Sequence, residues 1–222
     1  MRDLLLAICP YAIWCIVFCE AIIAILLFFC WQRKKQPIAL LAFLVTIGLI
    51  LDAAIIGLGS TLNAHTLQAI SPIRFIAHGL LIPLLFPICG YALNLKKPVM
   101  RVLWLLTGLL MAAGAAEGAS TVLEMREIAG VTRFASGSAT PAWADMISKI
   151  LSFGTVIPMM IAGVIVWIRQ KTPLLFLSGF TMFLFSALGP ATGNADLIFF
   201  ISMFGELFMV LFLYLYANRK AE

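Results

Sequence analysis

Seven long, nearly uncharged apolar stretches run through this chain, at Leu4–Trp31, Pro37–Ser60, Pro72–Asn94, Pro98–Ser120, Met146–Ile168, Pro173–Gly189 and Asp196–Ala217. About 20 mostly apolar residues suffice for a helix to cross the hydrocarbon of a bilayer. Only 11% of the residues are charged, against about 25% in an ordinary soluble domain. No soluble core hides that much apolar surface, so lipid is the expected solvent. The expected fold is a single all-α domain over 1–222, a seven-transmembrane helix bundle. Met1 to Cys30 reads as a retained first span, because its apolar run exceeds a signal-peptide core and no A-x-A site follows. Pro37, Pro72, Pro98 and Pro173 stand where spans open, a position that tolerates the missing N–H.

Orientation follows from the basic residues. Arg33-Lys34-Lys35, Lys96-Lys97 with Arg101, Arg169 with Lys171, and Arg219-Lys220 alternate with the other connections and hold ten of the fifteen Lys and Arg. The positive-inside rule puts these clusters in the cytoplasm, the N-terminus outside and the C-terminus inside, in a cytoplasmic or equivalent membrane. The net charge of +5 is therefore a topology signal, and no nucleic-acid partner is expected. Trp31, Trp104 and Trp167 fall near the inner interface and Trp143 near the outer one. Gly114-Ala115-Ala116-Glu117-Gly118 offers the small-residue spacing that lets membrane helices approach closely. The long connection Thr121–Asp145 is expected outside. Val122, Met125, Ile128 and Val131, three apart, predict a helix extension or an interfacial helix there, and a solvated connector is expected ahead of a lid over the outer face.

Ionisable residues at bilayer depth are costly, and each is a functional-site hypothesis. Six qualify: Glu20, Asp52, Arg74, His78, Glu117 and Glu206. With the topology above, all but Glu20 fall toward the outside. Arg74 and His78, four apart, share a helix face. A buried Arg needs a carboxylate, and Asp52, Glu117 and Glu206 are in reach. The expectation is an outward-opening polar pocket formed by Arg74, His78, Asp52, Glu117, Asn194 and Glu206, holding a small molecule, lipid or ion, with Arg74 as anchor for an anion. Asn194 and Asp196 mark the mouth of the last span. Pro83, Pro87 and Pro158 are expected to kink their spans, and His65 is expected in a solvated loop.

Several classes are set aside. No P-loop, dinucleotide fingerprint, G-x-S-x-G elbow or H-E-x-x-H motif is present. Two histidines are too few for a His-rich metal centre, and Cys9, Cys15, Cys19, Cys30 and Cys89 all lie in apolar stretches, where Cys acts as a small hydrophobe. Neither metal nor cofactor is expected. Two alternatives to a binding protein stay open. One is an intramembrane acid–base enzyme acting on a terpenoid-like lipid, with Glu206 or Asp52 as acid and His78 as base. The other is a proton- or ion-coupled carrier relaying through Asp52 and Glu206.

Ser71-Pro72-Ile73-Arg74-Phe75, followed by Pro83-Leu84-Leu85, resembles the third helix of the microbial rhodopsins, in which Arg-aromatic precedes Pro-Leu-Leu by the same spacing. Glu206, thirteen residues before Arg219, is similar to that family's helix-seven carboxylate and cytoplasmic Arg. The resemblance implies a seven-helix scaffold with Arg74 beside Glu206 beneath a central pocket. The family's Schiff-base Lys falls at Val210, its helix-three counter-ion carboxylate at Ala77 and its pocket Trp at His78. A retinal photoreceptor is therefore not implied.

Overall fold

The computed structural model describes residues 2–128, 130–191, 193 and 195–219, with side chains over 8–128, 130–188, 193 and 201–219. Among the described residues there are eight α-helices and one hairpin: α1 (Arg2–Lys34), α2 (Pro37–Gly57), α3 (Ala64–Leu81), α4 (Leu85–Ala92), α5 (Lys97–Ser120), β1 (Leu123–Ile128), β2 (Val131–Ser136), α6 (Ala142–Gln170), α7 (Leu174–Ala191) and α8 (Ala195–Arg219). Among the described residues, six helices are long and apolar enough to cross a membrane, and Leu174–Leu188 is a shorter apolar one. The fold is that of a multi-pass helical membrane protein. Consecutive helices pack side by side, with α3 and α4 forming one broken rod, and α8 closes the ring against α1. The main core lies inside this ring, where Leu27, Leu49, Leu85, Ile88, Met159 and Leu213 are almost fully buried.

Local chemistry explains the breaks. Pro83 and Pro87 deny amide donors to the turn before them, and the rod relaxes into a 3-10 turn at Ile82–Leu84 between α3 and α4. Pro158 stays inside an uninterrupted α6. Pro72 does not open its helix as expected. Asn63 caps α3 instead, its side chain accepting from the Thr66 amide at 2.9 Å. The helix therefore begins eight residues before Pro72, and His65 lies exposed in its first turn rather than in a loop.

The small residues of α5 act as anticipated. A Cβ on Gly114 would strike the backbone of Gly79, and one on Gly118 would meet the backbone of Phe75 and Ile76 at 2.6–2.9 Å. Backbone contact between α3 and α5 thus sets the height of α3 in the bundle.

The connection after α5 is not helical. It is an antiparallel hairpin pairing Leu123 with Ser136 through Ile128 with Val131, turned at Gly130 with φ 73°. The three-residue apolar spacing lost to strand formers (Val131, Thr132, Phe134) and to a glycine suited to the left-handed region. The Gly137 amide donates to the Val122 carbonyl at 2.8 Å and closes the neck. The Glu124 carboxylate is held below its ordinary range by the Ser138 amide, then by the Ser138 hydroxyl.

This hairpin docks on the bundle rather than standing in solvent. Val131 is fully buried with Cys9, Ile13, Ile56 and Met203, and Phe134, on the other strand face, packs with Ile55 and Leu67. Gly59 touches the Thr132 carbonyl so closely that a side chain there has no room. Gly59→Val is expected to lift β2 at a cost of about 1–3 kcal/mol. Limited proteolysis would show it as faster cleavage within 121–141; an unchanged rate would mean that the hairpin is held elsewhere.

Candidate functional site

The hairpin end of the bundle gathers the ionisable residues expected in the membrane. Asp52 stands a little over one turn from the end of α2, Arg74 and His78 share a face of α3, Glu117 lies in the last turn of α5, and Glu206 lies on α8. All five line one cavity of about 240 Å³, beneath β2.

Arg74 ties its walls together. Its Nε donates to Asp52 Oδ1 at 2.8 Å and its Nη2 to Oδ2 at 3.4 Å, a two-point fork from α3 to α2. Nη1 donates to the Phe134 carbonyl at 3.2 Å and so holds the hairpin. Its guanidinium also lies 5.2 Å from the Phe75 ring centroid. The planar fork matches a carboxylate in a way Lys cannot reproduce. Arg74 is only 8% exposed, so this pairing offsets the cost of burying it. The expected carboxylate partner for Arg74 is thus present, and it is Asp52. Glu206, which the rhodopsin resemblance would set beside Arg74, lines the same cavity without being Arg74's ion-pair partner.

Glu117 is buried, and Thr121 donates to its Oε1 at 3.3 Å. His78 lines the cavity from α3. Asn194 falls outside the described residues, and the side chain of Asp196 likewise.

Three polar wall residues went unrecognised in the sequence: Arg133, Ser148 and Ser202. Arg133 matters most. It lies two residues after Val131 on the face of β2 that covers the bundle. Burial first, and then the charge of Arg74, push its guanidinium down to about 10, with Asp52 acting in the opposite sense. It remains a cation at neutral pH. Gly130 followed by strand formers was the available signal.

Below the polar cavity lies a second one of about 340 Å³, between α2, the α3–α4 rod, α6, α7 and α8. Its walls are mostly apolar, with Leu49, Ile82, Val156, Met182 and Met209 among them, and His78 and Glu206 line both spaces. A polar chamber therefore adjoins an apolar one across a histidine and a carboxyl.

Glu20 belongs to neither cavity lining. Placed on α1, it is fully buried, and neither carboxyl oxygen has a hydrogen-bond partner among the described residues. It lies within electrostatic reach of Asp52 and Glu206, so the acidic cluster extends beyond the cavity toward α1. Cys9, Cys30 and Cys89 are buried, Cys15 and Cys19 face outward, and none of the five forms a disulfide among the described residues. No group of three or more His, Cys, Asp or Glu among the described residues is placed to hold a metal ion. Comparison with protein families finds no match to this chain, and comparison with curated proteins finds none either.

Proposed function

We propose that the chain crosses the membrane seven times with its N-terminus outside, and that the polar cavity opens outward and binds a small molecule, lipid or ion. The observation that carries the reading is the convergence of Asp52, Arg74, His78, Glu117 and Glu206, from four helices, on one cavity. Residues so costly at bilayer depth have a structural use in holding helices together, but the Arg74–Asp52 fork alone would serve that purpose. His78, Glu117 and Glu206 go beyond it. The topology rests on the alternation of basic connections with uncharged ones. It places the hairpin outside and the site in the outer half of a cytoplasmic membrane. A scaffold like that of the microbial rhodopsins fits this reading, without retinal: the position matching the Schiff-base Lys is the buried Val210.

One observation favours the intramembrane enzyme as a second reading. His78 and Glu206 stand where the polar and apolar spaces meet, the place for an acid–base pair acting on the polar end of a lipid-like substrate.

Mass spectrometry of molecules co-purifying with the wild type, Glu206→Gln and Arg133→Gln proteins tests the binding reading. A defined molecule is expected in the wild type and lost from both variants. Bulk bilayer lipid alone, or a molecule equally abundant in all three, would overturn it.

A further inference from the structure

At the end of α5 away from the hairpin, the turn from α4 makes a site of a different character. Asn94 takes the left-handed region, with φ 53°. Its amide donates to the Tyr91 carbonyl at 3.3 Å, and the Leu95 amide donates to the Gly90 carbonyl at 3.1 Å. This pair of bonds ends α4 in a closed Schellman turn. Lys97 and Pro98 then start α5. A Cβ on Gly90 would strike the side chains of Met100 and Leu103, so the two helices are locked together beneath the turn. Between them lies a pocket of about 480 Å³, with Tyr91, Asn94, Lys97, Arg101 and Trp104 in its walls.

The charge of this pocket has one sign. Among the described residues no carboxyl lines it, and neither Lys97 nor Arg101 has a hydrogen-bond or ion-pair partner. The stretches 21–51, 53–116 and 146–195, which hold the three basic turns, contain no Asp or Glu. Lys97 and Arg101 are four apart and share a face of α5. A guanidinium fork beside an ammonium suits a phosphate group. A zwitterionic head would bring an ammonium that meets no carboxylate here, so a net negative head fits better. The same helix face continues as apolar surface. Of the six long apolar helices, α5 has the smallest buried share, 17%. One turn on from Arg101 come Trp104 and Leu105, and the next turn brings Gly108 and Leu109. Leu105 and Leu109 are 68% and 63% exposed, and no heavy atom approaches a Cβ built on Gly108. Cations, then Trp, then leucines follow the order of headgroup, interface and hydrocarbon. A soluble phosphate would use the cations alone; the adjoining apolar stripe decides for a lipid.

We infer that this pocket binds an anionic diacyl phospholipid, with Lys97 and Arg101 holding its phosphate and an acyl chain lying along Leu105 and Leu109. The site is separate from the polar cavity near the hairpin and stands whether or not that cavity holds a ligand.

The test is native mass spectrometry of the full-length protein in detergent, titrated with dioleoylphosphatidylglycerol or dioleoylphosphatidylcholine. The first phosphatidylglycerol is expected to bind about tenfold more tightly than phosphatidylcholine, as for two cations near an anionic lipid. Lys97→Gln combined with Arg101→Gln should abolish that preference while the thermal melt stays unchanged, because neither side chain holds another residue. Lys97→Arg should retain it. Arg33→Gln combined with Lys34→Gln removes the same charge from the same end of the bundle and should leave the preference intact. Equal affinity for the two lipids would overturn the inference. Equal losses from the two double variants would do so too, since attraction by net charge needs no pocket. Displacement of phosphatidylglycerol by millimolar inorganic phosphate would make this a site for soluble anions and overturn the lipid. A dimer that excludes phosphatidylglycerol would put a second copy of the chain on this face, again against the inference.

Discussion

Asp52→Ala is expected to destabilise the protein by about 3–5 kcal/mol, the penalty for stripping a buried cation of its partner. Arg74 has almost no access to water, and both donors facing α2 are spent on the Asp52 carboxylate. Its third contact, to the Phe134 carbonyl, is to the hairpin, so a displaced guanidinium loosens the lid as well as the α2–α3 contact. The loss should exceed the intrinsic worth of the ion pair, because the unpaired charge remains in a dry setting. Asp52→Leu combined with Arg74→Met is therefore expected to recover most of it, leaving a pairwise coupling of at least about 1 kcal/mol. Unfolding in detergent micelles, followed for the wild type, both single variants and the double variant, measures this cycle. A loss below about 1 kcal/mol for Asp52→Ala would mean that Glu117 or Glu206, in the same cavity, takes over the guanidinium.

Gly114→Leu should cost about 3 kcal/mol, at the upper end for overpacking, because its side chain would meet backbone rather than a movable side chain. The partner is Gly79, one residue past His78 and five past Arg74. Pushing α3 away from α5 at that point moves both cavity residues, so the variant should also lose the Arg74–Asp52 fork. Gly108→Leu is the internal control. Gly108 lies on the same helix with no heavy atom near a built Cβ, so that change should stay within about 0.5 kcal/mol. Thermal melts of the two variants give the comparison. Similar losses from both would remove the α3–α5 backbone contact as the determinant.

Legibility in the sequence divided along physical lines. The positions of the long apolar helices were readable because apolar length is a local property. Six long apolar helices follow the expected stretches closely, although α3 begins well before Pro72 because its Asn63 cap, and not its proline, decides where the helix starts. The interruption at Pro83 was likewise local, since a missing amide acts on the turn that contains it. The hairpin was misread because Val122, Met125, Ile128 and Val131 fit a helical spacing, while the pairing that overrides it joins residues on opposite sides of a turn. Arg133 was missed for the same reason: as a helix residue it has no fixed relation to the cavity, and as a strand residue beside Val131 it faces it.

For the site, the cost of burying charge was enough to say that Arg74 needs a carboxylate and that Asp52, Glu117 and Glu206 are candidates. Choosing among them depends on how each helix is rotated about its axis, and that rotation is set by packing elsewhere, in the Gly79–Gly114 contact and the seat of Val131 on α1, α2 and α8. By itself the sequence determined that the chain is built of long apolar helices and which residues are too costly to leave unpaired, because these follow from composition over one helix length. Only the tertiary structure decided that Asp52 holds Arg74 and that a hairpin brings a second guanidinium over the cavity. Each of those depends on distances between segments far apart in the chain, where no local preference reaches.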